Sequence, residues 1–164
     1  MNNTVAEFIS NLSTLKSGEL SILRTMKNKG LDEGIDGFDL FTGIWWPLRE
    51  KSKSAPQRET AWLIAKLFAC YPIPQEGGAN LPLLMSKISR NNDALAKQLA
   101  KLNDKIVKCS LRMLEDPLGQ ALNIIQNKYI GMDWVKLTDT LSKWVYQSER
   151  ERWIQDFLTV IKKQ

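Results

Sequence analysis

Residues 92–113 read NDALAKQLAKLNDKIVKCSLRM, and apolar side chains recur in this stretch at intervals of three and four. That spacing predicts a helix with one packed face, which Asn92 opens. The packed face consists of Leu95, Leu99, Leu102, Ile106, Cys109 and Met113. A separate arc of about 80° on the same helix consists of Lys97, Lys101, Lys105, Lys108 and Arg112. The stretch therefore predicts a long amphipathic helix with a row of cations beside its packed face.

Two alternatives to a functional row stay open at this point. A lysine-rich helix face is also common as an ordinary solvated surface. Asn103 and Asp104 are residue types that cap helices, so a second helix could begin there and destroy the register of the row.

Helical spacing continues through most of the chain. The predicted helices lie at 5–15, 17–27, 54–71, 80–88, 92–113, 116–129, 133–144 and 148–161. Gly131 follows the sixth of these as a helix C-cap would, and the four glycines between Gly30 and Gly43 predict a loop with short helical turns. No run alternates apolar and polar residues far enough to predict a strand. The fold class is therefore all-α, a helical bundle with N-terminal and C-terminal lobes.

The domain boundary is predicted from one loop. PQEGGAN (Pro74–Asn80) follows two prolines that must end the preceding helix. The 164 residues form either a single helical domain or two lobes, residues 1–78 and 79–164.

Composition favours an acidic partner only slightly. Lys and Arg number 23 against 18 Asp and Glu, a net charge of +5, which fits nucleic acid but also many ordinary proteins. The two cysteines, Cys70 and Cys109, are set among apolar residues and indicate free thiols in a reducing cytoplasm. The start of the chain has no signal-peptide pattern, and no apolar run is long enough to predict a membrane span.

The residues that most enzymes need are missing. The sequence has no histidine, two isolated cysteines cannot form a structural zinc site, and no phosphate-binding glycine loop is present. The acidic pairs Asp32–Glu33 and Glu115–Asp116 stand at predicted helix ends, where carboxylates favour the helix dipole. We therefore expect no enzymatic activity, no cofactor and no metal.

Further cations and aromatics are candidate nucleic-acid contacts. Arg49, Lys51 and Arg58 lie on and beside the loop before a helix, and Arg24 ends another helix, where the dipole is an alternative explanation. Arg150 stands at the start of the last helix, a poor place for a cation unless an anion is bound. Exposed rings could stack on bases; the candidates, each of which could instead be a core residue, are Trp45, Trp46 and Tyr146.

Five segments in this order resemble one family. They are GELSILR (18–24), PQRETAWLIAKLFACYP (56–72), VKCSLRMLEDP (107–117), MDW (132–134) and ERERWIQDF (149–157). Together they resemble the CasB-type small subunit of the type I-E CRISPR Cascade complex. The resemblance extends over most of the chain, although each segment alone is only a helix fragment.

The resemblance implies a function and partners. It implies an all-α, non-catalytic subunit of a cytoplasmic antiviral complex, present there as a homodimer. The implied partners are the backbone and large subunits of Cascade, the crRNA and the target DNA, mainly its displaced single strand. Such contacts would stabilise the R-loop, whose formation is nearly balanced in energy.

Site residues follow from the resemblance at four positions. Arg24, Arg58, Lys108 and Arg150 match basic positions of the family, whereas the rest of the row comes from the helix geometry alone. The chain departs from the family pattern at Cys109, where the family has an aromatic residue, and at Asn80–Pro82. A helical adaptor that binds only protein is the alternative function.

Overall fold

The computed structural model describes residues 3–128 and 131–162, and the secondary structure in these ranges is helical apart from one isolated bridge between Gln75 and Met132. The helices are α1 (Asn3–Ser13), α2 (Ser17–Arg24), α3 (Ile35–Lys51), α4 (Arg58–Cys70), α5 (Leu81–Asn91), α6 (Asp93–Lys108), α7 (Glu115–Gln126), α8 (Trp134–Ser142) and α9 (Gln147–Lys162). Two 3₁₀ turns lie at Leu31–Glu33 and Leu111–Met113. The predicted all-α class is confirmed.

The chain divides into two compact units, residues 1–74 and 75–164. Within the described ranges, no helix is both long and apolar enough to cross a membrane.

Helices α1 to α4 form the first unit. Its centre is α4, in which every side chain from Thr60 to Ala69 is buried. Phe41 of α3 contacts Trp62 of α4 edge to face at 5.2 Å and stacks on Trp45 at 5.8 Å. The Phe41–Trp62 contact joins α3 to α4, whereas the Phe41–Trp45 stack lies within α3.

The loop predicted between Gly30 and Gly43 is wrong, because α3 begins at Ile35. Gly34 and Gly37 belong to a close helix contact: a Cβ on Gly37 would lie 2.6 Å from Cγ of Met26. Glycine is thus needed at these positions for close packing. The high glycine content of the segment was interpreted as a loop for a different reason, namely that glycine weakens helices. Pro47 also lies inside this helix.

Helices α5 to α9 form the second unit, in which α5 packs along α9 and α6 contacts α5, α7 and α9. Its largest fully buried side chains include Trp134 and Trp144. Asp133 caps α8, because its side chain accepts a hydrogen bond from the backbone N–H of Lys136 at 3.0 Å.

Two predicted helix ends in this unit are wrong. α6 ends at Lys108, and Cys109 is extended with φ −79° and ψ 145°, so Met113 is not on the packed face and is 66% exposed. α7 ends at Gln126 rather than at Gly131. Tyr129, assigned to that helix from the sequence, lies outside the described residues.

Candidate nucleic-acid interface

The basic row lies on one uninterrupted helix. Asn92 caps α6 through its side-chain oxygen, which accepts from the N–H of Leu95 at 3.1 Å. Asn103 does not begin a new helix: it is buried, and its Oδ1 accepts from Nε1 of Trp153 at 2.7 Å. Leu99, Leu102 and Ile106 are buried on the inner side of α6, while the four lysines on the outer side, Lys97, Lys101, Lys105 and Lys108, are exposed.

These lysines are little neutralised by the protein itself. Lys108 lies 3.8 Å from Asp104, but both side chains are about three-quarters exposed, and such pairs contribute little. Lys97, Lys101 and Lys105 make no ion pair or hydrogen bond with any described residue. Their ammonium groups are therefore available to an external anion.

Arg112 is not part of this row. Because α6 ends at Lys108, Arg112 lies in the 3₁₀ turn Leu111–Met113, where it is exposed. The helical-wheel register that placed it on the row stops four residues earlier. Its contact with nucleic acid stays a prediction without that geometric support.

The last two turns of α6 are held by side chains from the α8–α9 segment. The carbonyls near a helix C-terminus have no partner within the helix. Here Nε1 of Trp144 donates to the carbonyl of Cys109 at 2.9 Å, and Nη1 of Arg150 donates to the carbonyl of Val107 at 3.1 Å. With the Trp153–Asn103 bond, these contacts fix the part of α6 that bears Lys105 and Lys108.

Arg150 has a structural role that the sequence did not reveal. Its Nε also donates to the carbonyl of Trp144 at 2.9 Å, and its guanidinium lies over the Trp144 ring at 5.1 Å. Its neighbour Arg152 pairs with the buried Glu149 at 3.3 Å. Protein groups thus account for these cations at the start of α9, and their position gives no separate indication of an external anion.

We expect Arg150→Ala to lower the free energy of unfolding by about 2 kcal/mol, because two backbone carbonyls lose a charged donor. Urea denaturation followed by circular dichroism measures this change. Arg58→Ala removes the same charge from an exposed site without described partners and should alter stability by less than about 0.5 kcal/mol. Equal stability of both variants would show that Arg150 does not hold α6.

The candidate cations of the first unit fall into two groups. Arg24 at the end of α2 and Arg58 at the start of α4 are exposed and have no ion pair in the described part of the chain. Arg49 instead closes the loop after α3, because its Nη1 donates to the carbonyls of Lys53 and Ala55 at 2.9 and 2.8 Å. Lys51 pairs with Glu7 at 3.1 Å.

The three aromatic candidates differ in exposure. Trp45 is a core residue, 8% exposed, whose Nε1 donates to the carbonyl of Pro56 at 2.7 Å. Trp46 and Tyr146 are 48% and 61% exposed, so part of each ring is open to solvent. The alternative interpretation as core residues is therefore right for Trp45 and wrong for the other two.

No three His, Cys, Asp or Glu side chains within residues 3–128 and 131–162 are grouped so that they could hold a metal ion. A cleft in the second unit, between the start of α5, α8 and α9, is lined by Thr140 and Trp153 among others. Two charged residues of its lining, Glu149 and Arg152, are the pair described above.

Comparison with known proteins gives one family and several solved structures. Residues 19–158 match the family model described as CRISPR-associated protein Cse2. No curated protein matches the chain.

Two crystal structures from Thermus thermophilus, one of a CRISPR-associated protein of the Cse2 family and one of CasB, superpose with TM-scores of 0.73 and 0.74 at 14% identity. Each match covers 96% of this chain and 97% of the other chain. CasB from Thermobifida fusca superposes with a TM-score of 0.66 at 14% identity, over 95% of this chain and 94% of that one. At such low identity these likenesses show a shared fold.

Proposed function

The chain belongs to the CRISPR-associated Cse2 family, and from that membership we propose that it is the non-catalytic small subunit of a CRISPR RNA-guided surveillance complex, Cascade. In this role it binds nucleic acid without sequence specificity and stabilises the opened target, chiefly the displaced single strand. Its partners are the other Cascade subunits, the crRNA and the target DNA, and a second copy of the chain in the same complex.

The basic row of α6 is the observation that supports this proposal most directly. Lys97, Lys101, Lys105 and Lys108 extend over about 16 Å of helix, on the side away from the buried stripe. Lysine neutralises phosphates without reading bases, so binding would be sensitive to salt and nearly blind to sequence. Exchange of a DNA duplex for an RNA–DNA heteroduplex is close to balanced, so backbone contacts to the displaced strand, together with negative supercoiling, favour the open state.

We expect the triple variant Lys97→Gln, Lys101→Gln, Lys105→Gln to bind single-stranded DNA about 50-fold more weakly at 0.15 M salt. Each lost phosphate contact removes roughly 0.7 released counterions, so the slope of log affinity against log salt should fall by about two. Fluorescence anisotropy with a labelled oligonucleotide of mixed sequence, titrated at several salt concentrations, measures both quantities.

The matched control is Lys87→Gln, Lys128→Gln, Lys143→Gln, which removes the same charge from three exposed lysines of the second unit outside the row. If both triple variants weaken binding equally, net charge and not the row determines affinity. If neither changes it, α6 is not the interface. Absence of any binding at low salt, together with incorporation into the complex, would favour the adaptor that binds only protein.

A further inference from the structure

Helix α3 has a second apolar face that the first unit does not cover. Ile35, Phe38 and Trp46 are 83%, 41% and 48% exposed. Their spacing of three and eight residues places them within about 80° on one side of the helix and along about 16 Å of its length. Side chains on the neighbouring arc of the helix, Phe41 and Leu48 among them, are buried in the unit.

Carboxylates surround the N-terminal end of this face, two in the 3₁₀ turn before α3 and two on α3 itself. Between Leu31 and Ile44 the chain has four carboxylates and no lysine or arginine, although its net charge is +5. The four are Asp32, Glu33, Asp36 and Asp39, all exposed and without an ion pair among the described residues. The helix dipole accounts for a carboxylate in the first turn, such as Asp36, but its effect has faded at Asp39.

This combination excludes one kind of partner and favours another. Phosphates would be repelled by four unpaired carboxylates, so the N-terminal end of the face is unsuited to nucleic acid even though Trp46 could stack on a base. Large exposed apolar side chains beside polar ones are typical of protein interfaces. Apolar side chains at helical spacing fit a partner segment whose own apolar side chains pack between them. The neighbouring carboxylates favour a partner segment that has lysine or arginine next to its apolar side chains.

We propose that this exposed face, composed of Ile35, Phe38, Asp39 and Trp46 with Asp36 beside it in the first turn and called here the α3 face, docks a basic amphipathic segment of another protein subunit. The partner rests on the proposed function, since we take it to be another subunit of Cascade. The chain would then use two surfaces of opposite charge: α6 for the polyanion and the α3 face for a cationic protein segment.

The test is co-expression of the full chain with the tagged remaining subunits of its complex, followed by affinity capture and size exclusion. We expect Ile35→Ser with Phe38→Ser to reduce the amount of chain retained at least 10-fold, and Asp36→Lys with Asp39→Lys to do the same at 0.15 M salt. The matched control, Met113→Ser with Val145→Ser, removes side chains that are 66% and 83% exposed in the second unit, and should be retained like the unaltered chain.

Four results would overturn the proposal. The first is unchanged retention of both α3-face variants, and the second is an equal loss of retention by the control variant. The third is that the purified α3-face variants lose self-association in sedimentation, and the fourth is that they bind single-stranded DNA more weakly than the unaltered chain. The third result would identify a second copy as the occupant, and the fourth would identify nucleic acid.

Failure of the proposed function gives a different pattern, because the α6 variants would then bind DNA normally while the α3-face variants still lost retention. If the serine or lysine variants fail to fold by circular dichroism, Asp36→Asn with Asp39→Asn replaces them. This pair keeps the shape of the surface and should reduce retention about 5-fold, and unchanged retention would again overturn the proposal.

Discussion

Replacing Trp144 with alanine should lower the free energy of unfolding by about 3–5 kcal/mol, the range for removal of a large aromatic side chain from a packed core. Trp144 is 1% exposed, contacts the Trp153 ring edge to face at 5.7 Å, and donates to the carbonyl of Cys109 at the end of α6. The variant loses apolar burial, the ring under the Arg150 guanidinium and the partner of a backbone carbonyl at once. Urea unfolding monitored by circular dichroism measures the change.

A matched control and a graded variant separate these contributions. Trp46→Ala removes the same side chain from a site that is 48% exposed and should cost less than about 1 kcal/mol. Trp144→Phe keeps most of the apolar volume but leaves the Cys109 carbonyl without its donor, so it should cost about 1–3 kcal/mol. If alanine at positions 144 and 46 were equally tolerated, the second unit would not depend on this ring.

The sequence predicted the central helix of the site because two independent periodicities agree there. The packed residues at 95, 99, 102 and 106 and the lysines at 97, 101, 105 and 108 have the same period, and both require a helix. The end of the helix was missed because nothing in the local sequence forbids continuation through Cys109 and Ser110. The chain turns there because distant residues, Trp144 and Arg150, satisfy the terminal carbonyls.

Other features depend on tertiary contacts that a single sequence does not display. Gly37 was read as a loop residue since glycine weakens helices, yet it occupies the place where α3 approaches Met26. Arg150 was predicted as a phosphate contact from the resemblance and from its position at a helix start, and its hydrogen bonds to carbonyls 6 and 43 residues away were not foreseen. The exposed face of α3 was missed for the same reason as the helix itself.

Asp133→Ala should cost about 3 kcal/mol of stability, since this one carboxylate joins a loop to a helix start. Its Oδ1 accepts from the N–H of Lys136 at 3.0 Å and from Nε2 of Gln75 at 2.8 Å, and its Oδ2 accepts from the N–H of Gly78 at 3.0 Å. Loss of a cap costs about 1 kcal/mol, and bonds to a charged acceptor contribute more than neutral ones. Gly78 has φ +84°, a conformation that favours glycine, so this turn does not easily rearrange to find another acceptor.

Asp93→Ala is the control for that prediction, because Asp93 also stands in the first turn of a helix but is exposed and makes no hydrogen bond with a described side chain. It should cost about 0.5 kcal/mol through the helix dipole alone. Equal costs for the two alanine variants in urea unfolding would show that the loop contacts of Asp133 contribute nothing.

The same carboxylate should make stability depend on pH in a direction that its contacts determine. Burial alone would raise the pKa of Asp133, but the hydrogen bonds from Gln75, Lys136 and Gly78 and the charge of Lys136 outweigh burial and hold the pKa below its ordinary 3.8. A carboxylate with a lowered pKa in the folded state stabilises the fold fully above its unfolded pKa and loses that contribution as pH falls through the folded value.

The stability difference between the chain with Asp133 and its Asp133→Asn variant should therefore be constant above about pH 5 and shrink below about pH 4. Burial raises the pKa of Asp139 on the same helix, and the charge of Asp133 raises it as well. Both proteins in the comparison therefore carry Asp139→Asn, so that the difference reports on Asp133. A difference that grew as the pH fell would mean that the folded chain binds a proton at Asp133 more readily than the unfolded chain, contrary to the contacts described.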